Sequence, residues 1–225
     1  IIIYKKIFMK EFDVIVIWAW SGWLTVSIWL ASAWKKVALV EKWLIGWDCT
    51  NFWCVPSKAL INIASSGKYD NVKDALKEVR SRRQKIQDEE TPEEIEKYGL
   101  KVIKWTAKFI SKNTIQVWDK KQISAKNIVI ATWSHAVPYS VKWLNKKDIL
   151  TNETIFELEE NIKNLVVIWG WYIGCELAES FASIWVNVTI IQRNLRLIPR
   201  EEKESSEVIE KDFRSKGVKI YTNST

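Results

Sequence analysis

Glycine is scarce in this chain. Seven of its 225 residues are glycine, against roughly sixteen at the ordinary frequency of about 7%. Histidine occurs once, at His135, and cysteine three times, at Cys49, Cys54 and Cys175. A zinc centre built on the Cys49, Cys54 pair would need two more ligands. Only Cys175 and His135 remain, both distant in sequence, so no metal centre is expected. Three cysteines without a convincing export signal also exclude a structural disulfide framework. Methionine occurs once, at Met9, which we take as the start of translation, residues 1–8 lying upstream of it. Tryptophan shows the opposite anomaly, with fifteen copies, and its surplus roughly matches the glycine deficit.

Lys and Arg number 34 against 27 Asp and Glu, a net charge of +7. The basic residues are scattered among acidic ones with no basic stripe and no interleaved aromatics, which reads as a solvated surface rather than a nucleic-acid site. The length suits one large domain or one and a half, and 48% apolar content can build a core. Lys5, Lys6 and Lys10 followed by an apolar run from Val14 to Ala33 mimic a secretory signal. Much of that hydrophobicity comes from Trp18, Trp20, Trp23 and Trp29, so we expect a cytoplasmic protein with no membrane partner.

The stretch from Phe12 to Ile17 is short, apolar and β-branched, the mark of a buried parallel strand. Trp18-Ala19-Trp20-Ser21-Gly22-Trp23 follows, then a helical stretch to Ala33 and a second strand from Lys36 to Val40, closed by Glu41. Glycine at 18, 20 and 23 would complete G-x-G-x-x-G in a strand–turn–helix–strand unit. That motif provides a tight turn, close backbone approach to a pyrophosphate and an acid for the adenosine ribose, the part that falls to Glu41. A second such unit begins with the strand Asn164 to Ile168 and continues Trp169-Gly170-Trp171-Tyr172-Ile173-Gly174-Cys175-Glu176. Between them, Asn71 to Glu89 has the spacing of a long surface helix. Thr91-Pro92 starts a short helix that Gly99 ends. Val102 to Ile123 predicts a small antiparallel meander. The run from Asn127 to Ser134, containing Ala131, Thr132 and Trp133, returns to the sheet.

One further stretch organises the rest: Gly46-Trp47-Asp48-Cys49-Thr50-Asn51-Phe52-Trp53-Cys54-Val55-Pro56-Ser57-Lys58. Pro56 suits the first turn of a helix, so the two cysteines stand where a loop enters it, and the helix N-terminus favours a thiolate. Once a metal site and a structural disulfide are set aside, a redox dithiol remains.

This stretch resembles the redox-active motif of the FAD-dependent pyridine nucleotide-disulfide oxidoreductases, Gly-Gly-x-Cys-x-Asn-x-Gly-Cys-[Val/Ile]-Pro-[Ser/Lys]-Lys, with tryptophan at two family glycines, Trp47 and Trp53. Ala131-Thr132-Trp133 resembles the family's second flavin fingerprint, Ala-Thr-Gly. The resemblance covers Met9 to the end; dihydrolipoyl dehydrogenase-like and mercuric reductase-like chemistry both fit, and the motif forms lean towards mercuric reductase-like members. It implies an α/β fold with two Rossmann-like dinucleotide-binding domains: an FAD domain over 9–150 carrying the inserted meander, and a truncated NAD(P) domain over 151–225. It also implies hydride passing from NAD(P)H through FAD to a Cys49–Cys54 disulfide, then to a small-molecule disulfide or a metal-ion substrate. By resemblance Cys54 faces the flavin, Cys49 is the interchange thiol, Lys58 lies near the flavin N5 paired with Glu176, and Tyr172 covers the nicotinamide pocket. The cofactor-binding set is Trp18, Trp20, Gly22, Trp23, Glu41, Gly46, Trp47, Lys58, Ala131, Thr132, Trp133, Trp169, Gly170, Trp171, Tyr172, Gly174 and Arg193. Gln192 stands where NAD-using members carry an acid, and Arg193 follows it, which favours NADPH, with NADH possible. By resemblance a bacterial homodimer is expected at full length, and the catalytic His-Glu pair lies beyond Thr225.

Eight tryptophans, at 18, 20, 23, 47, 53, 133, 169 and 171, stand at family glycine positions. Most or all of the fifteen are therefore expected to be glycine in the native protein, through a UGA codon that one variant code reads as tryptophan and another as glycine. The alternative is an inactive fragment or pseudo-enzyme with genuine tryptophans. Either way, residues 1–225 alone are expected to show no NAD(P)H-dependent disulfide reductase turnover, and measurable turnover by this piece would contradict that.

Overall fold

A computed structural model describes residues 10–46, 48–118, 121–132, 134–137, 141–145 and 148–224. Met9, Trp47 and Trp133, singled out above, lie outside these described residues.

The chain forms two compact units, one of residues 1–51 with 84–135, the other of 52–83 with 136–225. The first unit is built on a six-stranded sheet. Strand β1 (Lys10–Ile17) leads through helix α1 (Ser21–Ser32) to β2 (Val37–Val40). β1 pairs in parallel with β2 on one side and with β6 (Lys121–Ile130) on the other. Ile15, Val16, Ala38 and Leu39 are wholly buried, as expected of central parallel strands with both faces covered. β3 (Lys101–Ile103) adds in parallel to β2. It therefore belongs to the parallel sheet and not to the expected meander. Among the described residues, only β4 (Lys108–Ser111), β5 (Thr114–Val117) and β6 are antiparallel neighbours, in the order β3-β2-β1-β6-β5-β4.

The second unit holds helix α2 (Cys54–Ser65), the first part of α3 (Val72–Glu89) and a parallel sheet of β7 (Asn164–Ile168), β8 (Asn187–Ile191) and β9 (Lys219–Tyr221). Helices α5 (Tyr172–Ala182) and α6 (Lys203–Ser215) connect those strands. Leu60 and Ile63 of α2, Leu76 and Val79 of α3, and Ala178 and Phe181 of α5 share one core. The short α4 (Pro92–Glu96) starts as expected, with Thr91 Oγ1 accepting from Glu94 N at 3.2 Å. No described helix is long and apolar enough to cross a membrane.

The backbone treats several tryptophans as if they had no side chain. Helix α6 ends in a Schellman turn: Gly217 N donates to Arg214 O and Val218 N to Phe213 O, with Gly217 at φ 82°. α1 and α5 end in the same pair of bonds. Trp34 N donates to Ala31 O and Lys35 N to Leu30 O; Trp185 N donates to Ala182 O and Val186 N to Phe181 O. The left-handed residue in them is Trp34 at φ 61° and Trp185 at φ 68°. Left-handed backbone costs a residue with a Cβ about 1–2 kcal/mol, which is why glycine dominates this position.

Trp34 and Trp185 are 94% and 81% exposed, so neither indole contributes much burial. Trp34→Gly and Trp185→Gly should each raise stability by roughly 0.5–1 kcal/mol, the relieved strain less the larger unfolded-state entropy of glycine. Trp29→Gly, inside α1, should lower it by about 0.5–1 kcal/mol. Thermal midpoints of the three variants check this, and a loss at both helix ends would contradict it.

Candidate functional site

In the first unit, β1 and β2 present the first dinucleotide motif at their C-terminal ends. Trp18 N donates to Val40 O at 2.8 Å and holds the turn at φ 90°. Glu41 is 1% exposed. Its Oε2 accepts from Ala19 N at 2.8 Å and its Oε1 from Trp43 N at 2.7 Å, so the carboxylate braces the turn from within. A cleft of about 140 Å³ runs beside it, lined by Ile17, Trp18, Glu41, Trp105 and Thr132 among others. Ala131 N donates to Ile17 O at 3.0 Å, which places Thr132 at that cleft. The Trp18 indole forms part of its wall, 9% exposed, with Lys42 Nζ 5.7 Å from its ring. His135 stacks near both Trp18 and Trp43, at 6.1 and 5.1 Å between ring centroids.

A pyrophosphate held at such a turn needs open space over bare backbone N–H groups. Here a buried indole stands at position 18 and lines the cleft, and Trp20, the N-cap of α1, supplies no side-chain cap. With an indole at 18, in the wall of the cleft, the cradle does not fit the FAD that the motif implies. Gly22, by contrast, faces open space and would accept a Cβ without contact.

The two-cysteine stretch begins at Gly46, at φ 78°, whose N donates to Ala19 O at 3.0 Å. A Cβ there would collide with the Glu90 carboxylate and the Thr50 hydroxyl. Cys49 lies in a π-helical turn, Asp48–Phe52, rather than a loop, and Cys54 is the first residue of α2. Both are half-buried. Asn51, fully buried, ties the turn together: its Nδ2 donates to Ile45 O at 3.0 Å and its Oδ1 accepts from Gln87 Nε2 at 2.5 Å. The end of α3 and the residue after it thus brace the segment between the cysteines through Gln87 and Glu90, two residues that sequence reasoning missed. They occupy a charged helix end, and only tertiary contact distinguishes them.

In the second unit, Lys58 Nζ meets Glu176 Oε1 at 2.5 Å, the pairing expected from the sequence, with the lysine side chain 61% exposed. Exposed pairs of this kind contribute about 0–1 kcal/mol, so its value lies in holding Lys58 in place. Cys175, one residue before Glu176, is buried, and desolvation pushes its thiol up to about 12; it is a packing residue. The second dinucleotide motif repeats the first. Trp169 N donates to Ile191 O at 2.8 Å, with φ 79°. Gly170 lies under Leu197, and a Cβ on Gly174 would strike the Trp169 carbonyl. Trp171, the N-cap of α5, lies under the Arg200 guanidinium at 5.1 Å from its ring. The exposed Tyr172 donates its hydroxyl to Glu201, and that bond raises the phenol above its usual range. Gln192 is fully buried with its Nε2 directed at Arg196 O at 3.4 Å, while Arg193 is exposed. Arg200 and Glu201 were not anticipated from the sequence, because a Pro-Arg-Glu-Glu run carries no signal of its own.

Glu90 yields a pH dependence. Burial lifts its carboxyl above the ordinary 4.5, the Thr50 hydrogen bond opposing and Glu89 adding to the shift. The folded state therefore favours the protonated form, and stability falls as pH rises from the ordinary value through the raised one. Glu90→Gln should remove that fall; unfolding midpoints of parent and variant that stay parallel from pH 4 upward would contradict it.

Comparison with known proteins places this geometry. The chain is 29% identical over 230 residues to a mercuric reductase of Bacillus cereus, covering 96% of this chain and 36% of that protein. It is 31% identical over 241 residues to a dihydrolipoyl dehydrogenase of Bacillus subtilis (strain 168), covering 96% and 50%. The HOCl-induced flavoprotein disulfide reductase RclA of Escherichia coli superposes with a TM-score of 0.83 at 24% identity over 95% of this chain and 49% of that one, a likeness of fold. The chain thus spans half or less of the length of these relatives. The family model for pyridine nucleotide-disulphide oxidoreductases matches residues 12–225, and the chain belongs to that family.

Proposed function

We propose that the full-length protein is a flavoprotein disulfide oxidoreductase that draws on NAD(P)H and uses Cys49 and Cys54 as its redox pair. The observation that carries this reading is the placement of Cys54 as the first residue of α2, with Cys49 in the turn just before it. A helix N-terminus stabilises a thiolate there. In the dithiol form, Cys49 attacks one sulfur of a substrate disulfide, forming a mixed disulfide and releasing one thiol. Cys54 then attacks the Cys49 sulfur, releases the second thiol and leaves the Cys49–Cys54 disulfide. Lys58, held by Glu176, places a cation one turn along the same helix. Gln87 and Asn51 keep the intervening turn in one conformation.

A soft metal ion bound by the two thiolates is the other substrate class this pair can serve. The first domain is assigned to 9–150 and the second begins at 151. The assembly is a cytoplasmic homodimer of a bacterial cell, with NADPH as the reductant. The amide of Gln192 offers no repulsion to a 2′-phosphate, and Arg193 is free to reach one.

Partial reduction of the full-length protein should produce a long-wavelength charge-transfer band that Cys54→Ser abolishes. A protein that binds flavin yet shows no communication between flavin and dithiol would refute the redox assignment. Arg193→Ala should lower kcat/KM for NADPH by roughly tenfold, the worth of one charge-assisted pair, and leave NADH unchanged. Equal or better turnover of the parent with NADH would contradict the NADPH assignment.

A further inference from the structure

The cradle that does not fit its cofactor is one instance of a wider disagreement between backbone and side chain. Among the described residues, seven that are not glycine have positive φ: Trp18, Trp34, Trp118, Trp169, Trp185, Ile198 and Asn223. Tryptophan makes up fifteen of 225 residues, so chance would place fewer than one there. Five are found. A bulky residue in this region is a genuine outlier, whereas asparagine is tolerated.

The five fall at positions with a shared logic. Trp18 and Trp169 make the same bond in the two dinucleotide motifs, each donating to the last carbonyl of the neighbouring strand at 2.8 Å. Trp34 and Trp185 close helices with the bond pair that Gly217 uses in α6. Trp118 begins the turn after β5 at φ 51°, a site that resemblance does not mark. Three more tryptophans, Trp20, Trp53 and Trp171, are the N-caps of α1, α2 and α5 and make no side-chain cap bond. Glycine is accepted at an N-cap, whereas a large apolar side chain is not.

We infer that the protein as made in its cell carries glycine, not tryptophan, at 18, 34, 118, 169 and 185. Because the cause acts on a codon, the same holds at the other ten tryptophans. UGA decoded as glycine has this effect, and it leaves Gly22, Gly46, Gly170 and Gly174, encoded by ordinary glycine codons, untouched. The seven glycines and fifteen tryptophans become twenty-two glycines. Both dinucleotide turns then lose the indoles beside their helix N-termini, which close approach of a pyrophosphate requires. This inference goes beyond the redox assignment and does not rest on it, since it follows from φ angles and helix ends.

Peptide mass spectrometry of the full-length protein purified from its native cell decides the matter without any flavin. Peptides covering positions 18, 34, 118, 169 and 185 should each carry the glycine mass, and the fifteen codons should be UGA. Tryptophan in any of those five peptides, or UGG at any of the five codons, overturns the inference. Loss of the charge-transfer band in a protein that shows glycine would instead refute only the redox assignment.

Discussion

A single backbone constraint recurs through this molecule: the turn that follows the first strand of each dinucleotide motif must be left-handed. At the end of β1, residue 18 turns at φ 90° while its N–H reaches across to Val40; at the end of β7, residue 169 turns at φ 79° and reaches Ile191. Those turns aim the N-termini of α1 and α5 beyond the carboxyl ends of the strands, where parallel sheets bind ligands. In the first unit, Gly46 enters the two-cysteine stretch by donating to Ala19 O, next to residue 18. The segment that carries Cys49 is thus tied to the same turn. In the second unit, the turn at 169 leaves so little room that Gly174 must lack a side chain.

Glu41 shows how one buried charge serves that constraint. A carboxylate that is 1% exposed demands hydrogen bonds, and it obtains them from Ala19 N inside the motif and from Trp43 N just past β2. Its expected role towards a ribose and its bracing role use the same oxygens. Lys104 stands in the same field: burial lowers its ammonium below the usual range, and the charge of Glu41 pulls the other way. Asn51 does for the turn between the cysteines what Glu41 does for the turn after β1, through Ile45 and Gln87.

Much of this was legible in the sequence because parallel strands and helix starts leave local marks. The β-branched runs of β1 and β7, Pro56 in the first turn of α2, and Thr91 before Pro92 were all readable from composition over a few residues. β3 was not, because a three-residue edge strand looks the same whether its neighbour is parallel or antiparallel. Helix α6 and strand β9 lie past the second motif, outside the sequence-based expectations. Glu90 and Gln87 stayed hidden because their partners lie some forty residues away in sequence, at Gly46, Thr50 and Asn51. The tryptophans were visible as an anomaly of composition, yet which of them demand a left-handed backbone emerged only from φ. Trp118 is the clearest example, since neither motif nor helix end marks it in the sequence.

The central claim is that this chain has the backbone of a cofactor-binding oxidoreductase and that tryptophan is what keeps the cradle closed. The most direct test compares FAD bound per chain in two forms of the full-length protein, one with tryptophan and one with glycine at all fifteen positions, read from the flavin absorbance after desalting. The account predicts close to one FAD per chain in the glycine form and essentially none in the tryptophan form. Equal flavin content in the two forms, or none in the glycine form when it is folded, would contradict it.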